Sequence, residues 1–209
     1  MSSPHLTQLH TYLNNFANTT LKGSGDSDRH LLSLFAIALA SKGKTYVELG
    51  VRNGDTVLPL LTAAAVNGGE LFSVDIEKTS FKCPKELQKF WHFKKCDSLL
   101  FLKKWPKDRK IDFVLVDDWH AYAHVKKELE YLDKYIGPSS IIVLHDLMYG
   151  HVAPFYHSDL TLKKGQWAGG GPYRAVAELD PQFWEWATLP WGHGLTFLRK
   201  KYSNKYHPV

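Results

Sequence analysis

Apolar positions along the chain change their period several times, and each change marks an element. Leu6, Leu9, Leu13 and Phe16 recur at helical spacing, which predicts an amphipathic helix that "GSGDSD" then breaks. Asp28 is placed to cap a second helix, "RHLLSLFAIALASKG", ending at Gly43. From Lys44 onward short apolar runs alternate with helical patterns. "TYVEL", "LFSVDI", "WHFKKC", "IDFVLVD" and "SIIVLHD" read as strands. "TVLPLLTAAAVN", "PKELQKF", "SLLFLKKW" and "AYAHVKKELEYLDKYI" read as the helices between them. The strand runs are almost continuously apolar, as expected when both faces of a sheet are covered.

The pattern changes again after Leu147. The segment to Pro172 has little periodicity, many aromatic and histidine residues, and a "GGGP" exit, so it reads as a long functional loop. "YRAVAELD" then predicts a helix, and "FWEWATLPWGHGLTFLRK" predicts two strands joined by a turn. Together these elements predict an α/β fold. Its core is a Rossmann-like, doubly wound, mostly parallel seven-stranded sheet with an antiparallel C-terminal hairpin, preceded by N-terminal helices. Residues 1–43 are expected to form a helical cap and residues 44–209 a single globular unit.

Composition narrows the class. Hydrophobic residues make up 44% and charged residues 22%, the balance of a soluble globular protein. The net charge of +5 is spread along the chain except for the basic tail "RKKYSNKYH", and solvated lysines account for it. No module for nucleic acid and no Asn/Asp-Pro-Pro-Tyr motif is present, which argues against a nucleic-acid substrate. Two cysteines, Cys83 and Cys96, cannot build a disulfide framework. The N-terminus lacks the pattern of a signal peptide, and "LLSLFAIALA" is too short to span a bilayer. A soluble, cytoplasmic protein without a membrane partner is therefore expected.

The chemistry concentrates where predicted strands end. In an open α/β sheet, ligands bind beyond the carboxyl ends of the strands. "ELGVRNGDT" follows the first strand there. A glycine at such a turn lets a ligand approach the backbone, and the following helix presents unpaired N–H groups. The dinucleotide fingerprint Gly-x-Gly-x-x-Gly is absent, which counts against an NAD(P)-dependent oxidoreductase. Asp75 ends the second strand about 20 residues past the turn, where a carboxylate receives ribose hydroxyls in this architecture. Asp97 and Ser98 end the third strand, Asp117 the fourth and Asp146 the fifth. Each has a plainer alternative, since Asp75, Asp97 and Ser98 are all suited to capping a helix. Asp117 and Asp146 are equally suited to accepting hydrogen bonds from loops.

Glu48-x-Gly50-x-x-x-Gly54, with an acid ending the next strand, resembles the class I S-adenosylmethionine-dependent methyltransferases. The likeness runs from about Lys44 to Lys200. "VDDWHAYAHVKKELEYLDKYIGPSSIIVLHD" further resembles the O-methyltransferases related to the catechol, macrolide-sugar and cephalosporin-type enzymes. The resemblance implies S-adenosylmethionine as cofactor, held by Glu48, Gly50, Val51, Asn53, Gly54, Thr56, Asp75, Ile76, Asp97, Ser98 and Asp117. It implies a divalent metal on Asp117 and Asp146, with His145 as a further ligand, and His120 as general base beside Asp117. Relatives usually carry an acid where this chain has His145, and a nitrogen ligand favours Mn, Fe or Zn over Mg. The implied partner is a small-molecule hydroxyl acceptor.

Other residues have structural readings of their own. His120 and His124, four apart on one helix, have a zinc spacing but no Glu after His120. His151, His157 and His193 are expected at the surface, and Trp184 and Trp186 in the core on one strand face. Trp119, Tyr149, Phe155 and Trp167 are suited to wall an acceptor pocket. Tryptophans near the edge hairpin allow a homodimer. A scaffold that binds the cofactor without catalysis is the other alternative.

Overall fold

The computed structural model describes residues 4–22, 27–148 and 171–201. The chain opens with α1 (Pro4–Lys22), then a short 3-10 turn (Asp28–His30) and α2 (Leu31–Ala40). Alternation follows: β1 (Thr45–Leu49), α3 (Val57–Val66), β2 (Glu70–Asp75), β3 (Trp91–Lys95), α4 (Ser98–Lys103), β4 (Phe113–Val116), α5 (Tyr122–Leu132) and β5 (Ile141–His145). α6 (Gly171–Ala177), β6 (Trp184–Leu189) and β7 (Leu195–Lys200) complete it. Asp28 lies inside the 3-10 turn, and His30 stands at the start of α2 without a side-chain cap. "PKELQKF" forms a 3-10 helix rather than an α-helix.

The strands form one seven-stranded sheet in the order β3-β2-β1-β4-β5-β7-β6. The first five strands in that order pair in parallel, and β7 pairs antiparallel with both β5 and β6. The strand order reverses between β1 and β4, which opens a crevice beyond their carboxyl ends.

Alternation within each central strand explains the two cores. On β1 and β4, Tyr46, Phe113 and Leu115 face one side and pack with α1, α2 and α3 through Tyr12, Phe16, Leu34 and Leu60. Val47, Leu49, Val114 and Val116 face the other and pack with α4, α5 and α6 through Leu102, Leu129 and Val176. With period 2 in the strands and both faces covered, nearly every position is apolar, and Glu48 is the buried acidic exception in β1. The N-terminal helices are thus built into the same core as β1 and α3.

The hairpin departs from expectation at one position. Trp184 is 8% exposed, whereas Trp186, on the same strand face, is 41% exposed. β6 is the edge strand, and the cover over Trp184 does not extend to Trp186. No helix among the described residues is long and apolar enough to cross a membrane. Tyr149, His151, Phe155, His157 and Trp167 lie outside the described residues, as does the tail beyond Lys201.

Candidate active site

The turn after β1 is shaped by close packing. Gly50 has φ +91°, and a Cβ there would lie 2.1 Å from the Asp117 carbonyl oxygen. Only glycine lets β1 and β4 approach at this point. Gly54 has φ +90° and packs on the Phe81 ring. Asp75, at the end of β2, holds the turn from outside: its Oδ2 accepts from the Val51 N–H at 2.8 Å and the Arg52 N–H at 2.9 Å. Its Oδ1 accepts from the Glu77 N–H at 2.8 Å.

A cavity of about 510 Å³ opens against this turn. Gly50, Asn53, Asp75, Ile76, Asp97, Ser98 and Asp117 line it, together with Trp119 and His120. Residues from the ends of β1, β2, β3 and β4 therefore meet in one place. Asp97 also caps α4, accepting from the Leu100 N–H at 3.1 Å, so the capping and lining roles coexist. Val51 contributes its backbone to the turn, with its side chain buried.

Glu48 and Thr56 sit elsewhere. Both are buried behind the turn, and neither lines the cavity. Glu48 accepts from the Thr56 and Ser73 hydroxyls, each at 2.6 Å, and so ties β1 to α3 and β2. The alternation that sends Val47 and Leu49 to one core sends Glu48 to the other. Burial pushes its carboxyl up to about 7, against the pull of these two hydroxyls. A raised carboxyl stabilises the fold fully below its unfolded value, near 4.5, and that contribution is lost as pH rises through about 7. Glu48→Gln should therefore gain in unfolding midpoint relative to the parent between pH 4.5 and 8. A midpoint difference that stays constant across that range in thermal melts would refute the assignment.

The second half of the site lies beyond β4 and β5. Asp146 has φ 64°, in the left-handed region, and its N–H donates to the Gly194 carbonyl at 3.1 Å. This strained backbone turns its carboxylate toward β4. The His120 Nε2 lies 3.4 Å from Asp117 Oδ1 and 2.9 Å from Asp146 Oδ2. Neither approach has the direction of a hydrogen bond at the His120 Nε2, and the Asp146 Oδ1 is likewise buried without one among the described residues. His145 stands behind the carboxylates, with Nδ1 3.1 Å from Asp146 Oδ1 and 3.5 Å from Asp117 Oδ1. Its Nε2 is fixed by the Gly192 carbonyl at 2.9 Å. His193, expected as a surface residue, is exposed and also reaches Asp146, at 3.3 Å.

Burial alone would lower the His120 and His145 imidazoliums, but Asp117 and Asp146 push them up to about 10 and about 11. Burial would likewise raise Asp117 and Asp146, and the two histidines hold both below the ordinary carboxylate range. Each of these two imidazoles thus faces both carboxylates. Asp117, His120 and Asp146 each present a ligand atom, all within 4.8 Å of one another. His124 is directed away from this group, toward Asp118 and Glu128.

One contributor was hidden in the sequence. Gly171 opens α6, and a Cβ there would lie 1.9 Å from the His120 carbonyl oxygen. The "GGGP" stretch is the only signal for it, and it does not name its contact.

A family model described as "Methyltransferase domain" matches residues 47–147. No curated protein matches the sequence. Among solved structures, cofactor-bound Rv0187 from MTB is similar at 12% identity and TM-score 0.63, over 90% of this chain and 89% of that one. The O-methyltransferase from Bacillus cereus in complex with SAH is similar at 13% identity and TM-score 0.58, over 93% and 91%. The MycE methyltransferase of the mycinamycin pathway, in complex with Mg, SAH and mycinamycin VI, is similar at 15% identity and TM-score 0.52, over 79% of this chain and 47% of that one. Residues 47–147, which carry the turn after β1 and the acids at four further strand ends, match the methyltransferase-domain model, and the chain shares its fold with these structures.

Proposed function

We infer that the chain transfers a methyl group from S-adenosylmethionine to a hydroxyl of a small molecule. The observation that carries this reading is the cavity at the β1/β4 crevice, lined by Gly50, Asp75, Asp97 and Asp117 within the methyltransferase domain. Its volume, about 510 Å³, suits a nucleoside-sized ligand. The O-methyltransferase from Bacillus cereus, of similar fold, holds SAH. An NAD(P) oxidoreductase is disfavoured by the missing third glycine, and a non-catalytic module by the polar set beyond β4 and β5.

In this reading the backbone of Gly50, Val51, Asn53 and Gly54 receives the methionine end of the cofactor. Asp75 takes the ribose hydroxyls while it holds the turn. Ile76, Asp97 and Ser98 flank the adenine. Glu48 and Thr56 brace the turn from behind. The sulfonium is already an activated electrophile, so the protein mainly has to align an acceptor oxygen with it and exclude water.

Asp117, His120 and Asp146 fit a divalent cation. The His120 nitrogen and an Asp146 oxygen are buried without a directed hydrogen bond. The charges of two carboxylates match a doubly positive ion, and MycE, of similar fold, holds Mg. Asp117, His120 and Asp146 would hold such an ion, which would supply Lewis acidity to an acceptor hydroxyl. His120, with Nε2 turned between the carboxylates, serves as a ligand, and His145 orients the carboxylates from behind. The acceptor is a small hydroxyl compound such as a sugar, a catechol or a natural product. The exposed edge formed by Phe183, Trp186 and Trp191 supports a homodimer through the hairpin.

Calorimetric titration of the full chain with S-adenosylmethionine tests the cofactor reading, with NADH as control. Micromolar binding of the first and none of the second is expected. Asp75→Ala should weaken cofactor binding at least about tenfold, since it removes both the ribose acceptor and the anchor of the turn. Unchanged affinity would sink the ribose assignment.

A further inference from the structure

A second polar cluster lies around His124, in the first turn of α5. His124 presents its Nε2 to three oxygens at once: Ser98 Oγ at 3.0 Å, Asp118 Oδ2 at 3.1 Å and Glu128 Oε1 at 3.4 Å. One ring nitrogen carries at most one hydrogen, so it cannot serve all three as donor. Glu128 is 0% exposed, and neither of its carboxylate oxygens has a hydrogen-bond partner among the described residues. Asp118 Oδ1 is buried and unpartnered as well. Buried carboxylates left in this state are costly unless a positive charge sits among them.

The spacing of the ligand atoms indicates what that charge is. Atoms about 2.1 Å from a common ion lie about 3.0 Å apart in an octahedron and about 3.4 Å apart in a tetrahedron. The separations around the His124 Nε2 span this range, and all three side chains offer atoms within 4.8 Å of one another. Two carboxylates and a neutral imidazole balance a doubly charged ion, and the Ser98 hydroxyl completes a set of four. The imidazole donor favours zinc over magnesium, which prefers oxygen ligands.

We propose that Asp118, His124 and Glu128, with Ser98, form a zinc-type divalent-cation site separate from the group around Asp117 and Asp146. The site joins the start of α4, the segment after β4 and the length of α5. It is built into the wall of the cavity: Ser98, Asp118 and His124 line it beside Trp119, whose ring lies 5.2 Å from the His124 ring, and Glu128 closes the cluster from the buried side. The bound ion fixes that part of the wall.

Crystals of the full chain, stripped with EDTA and grown with Zn²⁺, would be measured at the zinc absorption edge without added cofactor. Anomalous density within bonding distance of the His124 Nε2, Asp118 and Glu128 is expected. Density confined to the Asp117–His120–Asp146 position, or at neither, would overturn the proposal. In zinc titration the Asp146→Asn chain should retain this site, and a further Glu128→Gln change should weaken it at least about tenfold. Equal affinity with and without Glu128→Gln would also overturn it. Cofactor affinity is read separately, so failure here leaves the methyltransferase reading untouched.

Discussion

Asp146→Asn should lower methyl transfer at least about a hundredfold while leaving S-adenosylmethionine affinity within about threefold. Asp146 contributes a full negative charge to the group that faces His120 at 2.9 Å and His145 at 3.1 Å, yet it does not line the cofactor cavity. Stabilising developing charge on an acceptor oxygen is worth several kcal/mol, and each 1.4 kcal/mol or so is about tenfold in rate. His120→Ala should act in the same direction, since it removes the nitrogen set between both carboxylates. Release of S-adenosylhomocysteine with a panel of catechol and sugar acceptors reads the rate, and calorimetry reads the cofactor. Mn²⁺ affinity supplies a readout that needs no acceptor, and it should fall at least about tenfold. Parent-like turnover and Mn²⁺ binding in Asp146→Asn would remove Asp146 from the chemistry.

Gly50→Ala should cost about 3 kcal/mol or more of stability and abolish cofactor binding. Its φ of +91° is unfavourable for any L side chain, and the new Cβ would stand 2.1 Å from the Asp117 carbonyl oxygen. Relief requires β1 and β4 to separate at the point where the two halves of the site meet. For a chain of this length the unfolding midpoint should drop by about 10 °C. The same substitution at Gly137, where nothing lies within 4 Å, is the control and should shift the midpoint by only a few degrees at most. A Gly50→Ala chain that melts and binds S-adenosylmethionine like the parent would mean that the close approach of β1 and β4 is not required.

Much of the fold was legible because local patterning and tertiary burial agree. Short, largely apolar runs such as "TYVEL" and "FVLV", bounded by turn residues, fit strands covered on both sides, and they became β1 and β4. The alternation of strands and helices fixed a parallel sheet, and the turn residues fixed the final hairpin. The 3-10 character of Lys85–Phe90 and the exposure of Trp186 were less legible. The first turns on packing around a short connection, and the second on how far neighbouring elements reach over an edge strand.

The site divides in the same way. Acids at strand ends could be named from position alone, because in a parallel sheet all such ends lie on one side. That reasoning places Gly50, Asp75, Asp97 and Asp117 around one cavity. It could not tell that Glu48 points into a core, because strand phase depends on which face each layer of helices covers. It also could not tell that the His120 nitrogen sits between Asp117 and Asp146, or that His124 turns instead to Asp118 and Glu128. His120 and His124 lie on one short segment, yet His120 faces the acids that follow β4 and β5, whereas His124 faces Ser98 of α4, Asp118 after β4 and Glu128 of α5. By itself the sequence determined the order of elements and the side of the sheet on which chemistry must lie, since both follow from periodicity and chain connectivity. The tertiary structure alone decided which polar side chains share a charge, because that depends on distances of about 3 Å between residues far apart in the chain.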